Sequence, residues 1–341
     1  MSKFETIYIH AGMSKTGTTS IQGAFRSNSK ALLKQGFFYG TNSNHFQVSL
    51  AFSNPKSRLT TTSYFIAGLN RRQAIKRSKV YIDNNIAQAT EASAPNLVFS
   101  SEFIFAAGAN EIGEMVKHFQ QYAKNVRLVI YVRDPMGRAV SQFQQQVKVG
   151  RRTLTHFDGM DKIVKCADHL MNIRDVIGKD CFILRPFERS ALVGGDVVED
   201  FANVLGVNTA KFTAAKGAVM NESLSQEASE IASAFTKKYP FFINKKFNRE
   251  RAPKMANVLL QIAGSKFLPS QEYLDFISPI VEAERDKLAS EFGLTFKPAE
   301  YEPAPKSVMS KEFLLSLGET LNKIEIEKIK AVEKKKKKNK T

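Results

Sequence analysis

The 341-residue chain has no tryptophan, two cysteines, five histidines and no apolar run near the roughly 18 residues that a membrane span needs. Each shortage removes a class of protein. Cys166 and Cys181 can form at most one disulfide and lack metal-ligand spacing, so both read as reduced packing residues. With no clustered set of histidine and cysteine, a zinc site has no support and no metal is expected. The amino-terminal stretch carries no signal-peptide pattern, which with the missing span makes a cytoplasmic location the expectation. A Walker-type G-x-x-x-x-G-K-[ST] order is missing as well.

What is present is concentrated in residues 7 to 25, IYIHAGMSKTGTTSIQGAF. An apolar run drops into a small, hydroxyl-rich loop around one lysine and then turns helix-compatible, which reads as strand, anion-binding loop, helix. The amides of Thr16, Gly17, Thr18 and Thr19 would converge at a helix N-terminus, where unpaired N–H groups and the macrodipole favour a phosphate or sulfate. Lys15 adds a movable positive charge, and Ser14, Ser20 and Gln22 flank the loop.

A second segment, VRLVIYVRDPMGRAVSQFQQQVKVG at 126 to 150, runs from an apolar strand through Arg133, Asp134 and Pro135 into a helix that carries Ser141. Proline suits a helix start because its missing N–H is unpaired there anyway. In an open α/β sheet ligands lie over the carboxyl ends of strands, so Arg133 and Ser141 are placed to grip one phosphate, the first with a planar fork and the second with a short donor.

The order GMSKTGTTSIQ, with Lys15 before Gly17, resembles the 5'-phosphosulfate loop of sulfotransferases that use 3'-phosphoadenosine 5'-phosphosulfate (PAPS), particularly the bacterial and carbohydrate branches. Arg133, Pro135 and Ser141 complete an R-x-P-x-x-x-x-x-S pattern that resembles the same family's 3'-phosphate motif. RPFERSALVGGDVVEDFANVLGV and NESLSQEA at 221 to 228 are similar in pattern, so the likeness runs to about residue 296.

The resemblance implies a P-loop-like fold and an enzyme that moves the sulfuryl group of PAPS in line to an acceptor hydroxyl on a carbohydrate or glycoconjugate. Ser14, Lys15, Thr16, Gly17, Thr18, Thr19, Arg133 and Ser141 are then the donor-binding residues, and Lys15 is catalytic because it meets the charge growing on the leaving oxygen. The work is positioning and electrostatics more than covalent chemistry. Two residues are open for the acceptor's proton. Glu102 follows Ser100 and Ser101 at the end of the strand NLVFS, where related enzymes place catalytic or substrate-contacting residues, and is preferred. His45 lies in the loop SNHFQVSLAF, close to where carbohydrate sulfotransferases place a glutamate base. Two other readings are a P-loop kinase using ATP and magnesium, disfavoured by the position of Lys15, and a non-catalytic basic adaptor that keeps the nucleotide fold.

Around these motifs, FFYG at 37 to 40, NLVFS at 96 to 100, VRLVIYV and CFILRPFE at 181 to 188 read as strands. Residues 71 to 93, the stretch through Ile112, Met115, Val116 and Phe119, the run after Pro135 and residues 196 to 205 read as helices. This alternation predicts an α/β class with a doubly wound parallel sheet flanked by helices. Residues 41 to 63, rich in Ser, Thr and Asn, are expected to loop over the site, and loops at 41 to 70 and 240 to 255 to set acceptor specificity. The expected organisation is a sulfotransferase domain over 1 to 296, a linker over 297 to 309, an amphipathic helix over 310 to 333, and a Lys-rich disordered tail over 334 to 341.

The net charge of +17 falls to +11 when the six lysines Lys334 to Lys338 and Lys340 are set aside. Such a field draws PAPS and acidic glycans. No helix-turn-helix, zinc finger or aromatic RNA-binding signature accompanies it, so specific nucleic-acid recognition is not expected. Arg138, the basic loop Lys148, Arg151 and Arg152, and the cluster Lys245, Lys246, Arg249 and Arg251 are further candidates for anion contact; Arg138 reads equally as a solvent-facing helix residue. In the tail, Phe313, Leu314, Leu317, Leu321 and Ile324 mark one apolar stripe for a partner or a second copy, a homo-oligomer. The lysine run offers peripheral contact with an anionic membrane, at its inner face.

Overall fold

The computed structural model describes residues 2–54, 69–213, 223–244, 246–305, 307 and 309–338. The apolar runs form β1 (Phe4–Ala11), β2 (Phe37–Tyr39), β3 (Asn96–Ser101), β4 (Ala123–Val132) and β5 (Phe182–Pro186), and the longer helices are α1 (Thr18–Ser27), α2 (Arg71–Glu91), α3 (Ala109–Gln120), α4 (Pro135–Lys148), α5 (Ala167–Ile177), α6 (Val197–Leu205), α7 (Gln226–Lys238), α8 (Gln271–Phe292) and α9 (Lys311–Lys338). The five strands make one parallel sheet in the order β2-β3-β1-β4-β5, the P-loop-like, doubly wound arrangement expected from the alternation. After β1 the chain winds to one side through β2 and β3, then crosses to the other through β4 and β5. The place where the order reverses, beside β1, is where such sheets bind ligands.

The chain divides into two compact units, Met1–Asp134 with Cys166–Met220 and Lys287–Phe296, and Pro135–Lys165 with Asn221–Asp286 and Lys297–Thr341. The first holds the sheet. Side chains alternate across the pleat. Ile7, Ile9, Leu97, Phe99, Leu128 and Ile130 enter one core with Ile82 and Ile86 of α2, Val116 of α3 and Leu170 of α5. Val98, Val129 and Tyr131 enter the opposite core with Ile21 and Phe25 of α1 and Phe201 of α6. In that second core the fully buried Asp200 accepts from Arg185 Nε (3.1 Å) and Nη2 (2.5 Å), Tyr131 Oη (2.7 Å) and Val193 N (3.1 Å). Burial alone would raise this carboxyl, but the donors outweigh it and hold it below its ordinary value. The two cysteines are free, Cys166 buried and Cys181 half-buried.

The second unit is helical. Met136, Ala139, Val140, Phe143 and Val147 recur along α4 at helical spacing and pack with Ala228, Ile231 and Phe235 of α7 and Tyr273, Ile277 and Val281 of α8. Phe143 and Tyr273 stack at 4.2 Å, and Tyr273 Oη donates to Ala139 O at 3.0 Å.

The tail helix is covered from within this unit. Leu314 is buried in its core, Leu317 and Leu321 pack against it, and Gly318 lies so close to Phe235 that a Cβ would sit 2.8 Å from that side chain. Asn322 accepts from Ala252 N (2.6 Å) and donates to Glu250 O (2.8 Å), while Glu319 pairs with Lys238 (2.8 Å). Of the apolar stripe, Phe313 and Ile324 remain exposed. The helix runs on through Lys338, where the sequence reading ends it at 333; Lys340 lies outside the described residues. Likewise 55–63 of the expected loop, Asn221 and Glu222 of NESLSQEA, and Lys245 lie outside them. The described part of the 41–63 stretch is not all loop: Phe46–Ala51 is a short helix that buries Val48, Leu50 and Ala51.

Candidate active site

Three adjacent strands of the first unit end side by side. The register pairs Ala11 with Ser101 and His10 with Val129, so the segments that follow β1, β3 and β4 leave the same edge of the sheet. They carry Lys15, Glu102 and Arg133 respectively.

After β1 the chain turns sharply. Lys15 (φ +66°) and Gly17 (φ +72°) both adopt the left-handed region, the first an uncommon conformation for a residue with a Cβ. Gly17 caps α1, and a Cβ there would lie 2.6 Å from Val197 Cγ1; one on Gly12 would lie 2.5 Å from Thr18 Oγ1. The loop is tied internally. Thr16 and Thr18 are buried and donate their hydroxyls to Met13 O at 2.6 and 3.4 Å, and Gly12 N donates to Ser101 O at 3.0 Å. Both threonines thus commit their side-chain protons to shaping the loop. No side chain caps α1, so the opening amides of the helix, those of Thr18 and Thr19, have no intrahelical acceptor. Ser14 and Lys15 are half-buried, Thr19 and Ser20 exposed.

Glu102 opens a one-turn helix, Glu102–Phe105, capped by Ser101, whose Oγ accepts from Phe103 N at 3.2 Å. Its side chain reaches solvent, yet surrounding protein strips enough water to raise its pKa, an effect the nearby Lys15 charge partly reverses. That coupling brings Glu102 and Lys15 together electrostatically.

His45 is placed differently. It is fully buried, Ser100 N donates to its Nδ1 at 2.7 Å, and its own backbone N donates to Ser100 O at 2.9 Å. An imidazole that accepts at Nδ1 carries its proton at Nε2, which lies against Gly40, where a Cβ would come within 2.7 Å. Burial lowers its pKa to about 4, so the ring is neutral. Its one lone pair is already used.

Ser100 gathers more than this histidine. Its Oγ meets His10 Nδ1 at 2.8 Å, and Gln22 Nε2 of α1 donates to Ser100 O (3.3 Å) and Oγ (3.4 Å). His10 is fully buried and its pKa is lowered by burial to about 3. The pleat explains the meeting: His10 and Ser100 are register partners on the face that α1 covers. Gln22 therefore faces the sheet and not the helix exterior. None of His10, Gln22 or Ser100 carries a motif, and their separations of 90 and 78 residues hide them from a linear reading.

Arg133, directly after β4, is half-buried and has no hydrogen-bond or ion-pair partner among the described residues. A half-buried guanidinium without a carboxylate is the arrangement a bound anion would complete. Ser141 belongs to the second unit, half-buried on α4. Arg138 does not face solvent: α4 is buried nearly all round at this point, and Arg138 Nη1 donates to Val164 O at 3.1 Å. Arg251 is likewise internal, donating to Tyr239 O (2.8 Å) and Thr236 Oγ1 (3.3 Å), with burial lowering it to about 10.

Among the described residues no group of three or more His, Cys, Asp or Glu side chains is placed to hold a metal ion, and no helix is long and apolar enough to cross a membrane. No protein-family model matches the chain, and no curated protein matches it. Two solved structures that it resembles are sulfotransferases. One is the sulfotransferase from Alicyclobacillus acidocaldarius, with a TM-score of 0.47 and 14% identity over 85% of this chain and 96% of that one. Another is the sulfotransferase domain from the curacin biosynthetic pathway, with a TM-score of 0.38 and 12% identity over 82% of this chain and 98% of that one.

Proposed function

We propose that the chain is a sulfotransferase that takes PAPS as donor and a carbohydrate or glycoconjugate hydroxyl as acceptor. The observation that carries the reading is the convergence of the Lys15 loop, Glu102 and the unpartnered Arg133 at the carboxyl ends of β1, β3 and β4, beside the point where strand order reverses. A loop shaped by two left-handed residues, with free helix-start amides and a nearby arginine fork, suits a ligand bearing anionic groups at both ends.

PAPS supplies the activated sulfuryl group when bound. The amides at the start of α1 hold the sulfate and phosphate oxygens, and the Lys15 ammonium meets the negative charge that grows on the departing oxygen. Arg133 holds the nucleotide's 3'-phosphate. The Glu102 carboxylate takes the proton of the acceptor hydroxyl, a role aided by a pKa raised toward the working range. His45 is not given that role because its Nδ1 lone pair is committed to Ser100 N.

The test is to incubate the protein with PAPS and hydroxyl-bearing saccharides and follow release of adenosine 3',5'-bisphosphate. Saccharide-dependent release that falls roughly a hundredfold to a thousandfold in Lys15→Ala supports the reading. Phosphoryl transfer from ATP with magnesium, and none of sulfate, would replace it with the kinase reading.

A further inference from the structure

The second unit carries a feature that the proposed reaction does not use. Two short strands, β6 (Phe242–Ile243) and β7 (Lys246–Phe247), pair antiparallel through a turn in which Asn244 takes a left-handed φ of +48°. Phe242 and Ile243 stand at its tip with 48% and 47% of their surfaces in solvent, the only two consecutive large apolar residues so exposed among the described residues.

The stem below them is fixed. Phe241 N donates to Gly150 O (2.9 Å), Asn248 N to Phe241 O (3.0 Å), and the buried Arg251 anchors the return strand against Tyr239 and Thr236. Asn322 of α9 accepts from Ala252 and donates to Glu250 in the same return segment.

The adjoining chain is basic. Arg151 lies over the Phe241 and Phe242 rings at 5.7 and 6.0 Å, and within 246–254 Lys246, Arg249 and Lys254 are exposed, against one exposed carboxylate, Glu250. From Asn322, α9 carries the chain toward the lysine run at 334, about 18 Å further along at the rise of an α-helix. Apolar tip, cationic ring and polybasic extension belong to one unit.

We propose that the Phe242–Ile243 hairpin is a docking element for an anionic lipid bilayer, with the two apolar side chains entering the headgroup boundary and Arg151, Lys246, Arg249 and Lys254 facing lipid phosphates. Interfacial binding combines buried apolar area with attraction to anionic headgroups, and this surface offers both. A nucleic acid would match the charge, but it has no use for an exposed isoleucine, because base stacking asks for aromatic faces. The inference is independent of the chemistry proposed for the first unit.

The absence of native tryptophan makes the test direct. In the full-length chain, Phe242→Trp places the sole indole at the tip. Expected is a blue-shifted, brighter emission with vesicles of equal parts phosphatidylcholine and phosphatidylglycerol, reversed by high salt and absent with phosphatidylcholine alone. In co-sedimentation, Phe242→Ser with Ile243→Ser should weaken binding at least tenfold, a loss of the size expected when two exposed apolar side chains are removed from an interface, with thermal unfolding unchanged. Unaltered emission with anionic vesicles, full binding by the double-serine variant, or binding lost only when 334–341 are deleted would each overturn the proposal. A response to single-stranded oligonucleotide and not to vesicles would overturn it in favour of a nucleic-acid surface.

Discussion

Lowering the pH should destabilise the first unit through two histidines that burial keeps unprotonated. His10 and His45 are fully buried around Ser100, with pKa values lowered from 6.5 to about 3 and about 4. Unfolding returns both to water. Between the ordinary and folded values the unfolded chain binds more protons than the folded one, so stability is complete above about pH 6.5 and is lost as the pH falls below it. At about pH 4.5 each histidine removes up to about 2.6 kcal/mol relative to pH 7.5, together about 5 kcal/mol as a ceiling. That is comparable to the whole stability of a small domain. His118, half-buried with its pKa also lowered by burial, adds in the same direction.

The assay is urea unfolding at both pH values, paired with NMR titration of the five imidazoles. Two resonances should not move above about pH 5.5, well below the ordinary imidazole midpoint of 6.5. His45→Asn offers an Oδ1 where Nδ1 accepts from Ser100 N and has nothing to titrate, so its acid sensitivity should fall to about half. Equal stability at both pH values, or an unchanged acid slope in His45→Asn, would refute the neutral, buried pair.

Three further outcomes follow from the same geometry. Glu102→Gln should lower turnover roughly a hundredfold to ten-thousandfold and remove the acid limb of the rate profile, seen in initial rates across pH, because the raised carboxyl must be ionised to accept a proton. Gly17→Ala forces a Cβ to 2.6 Å from Val197 in a left-handed backbone, so donor affinity measured by calorimetry should fall and the melting temperature should drop. Asp200→Asn leaves Arg185 without its carboxylate partner and should cost about 3 to 5 kcal/mol in urea titration, with the loss appearing above the folded carboxyl pKa and vanishing below it.

Much of the first unit was legible because parallel strands buried on both faces read as apolar runs, and the loop after β1 announces itself by glycine, lysine and threonine in tight succession. Each of the five strands read from sequence is present, with ends shifted by a residue or a few. What stayed hidden depends on pairing across the sheet. Ser100 acquires His10 and Gln22 only once β1, β3 and α1 are in register, and His45 looks like a loop residue until Ser100 occupies its ring nitrogen. Arg138 and Arg251 look like ligand contacts in sequence, since nothing local reveals that Val164 O and Tyr239 O accept from them in the interior. The stripe on α9 was visible, but Gly318 and Asn322, which seat it on its own unit, carry no helical signal of a buried seam.

The central claim is that the loop after β1 and Arg133 hold a nucleotide with phosphate at its 3' and 5' positions. Calorimetry of adenosine 3',5'-bisphosphate against the wild type and Arg133→Ala, with a chelator present and with ATP plus magnesium as comparison, tests it most directly. The account predicts binding that survives the chelator and weakens at least tenfold in the variant, the least expected when a charge-assisted contact is lost. Equal affinity in wild type and variant, or binding of ATP with magnesium alone, would contradict it.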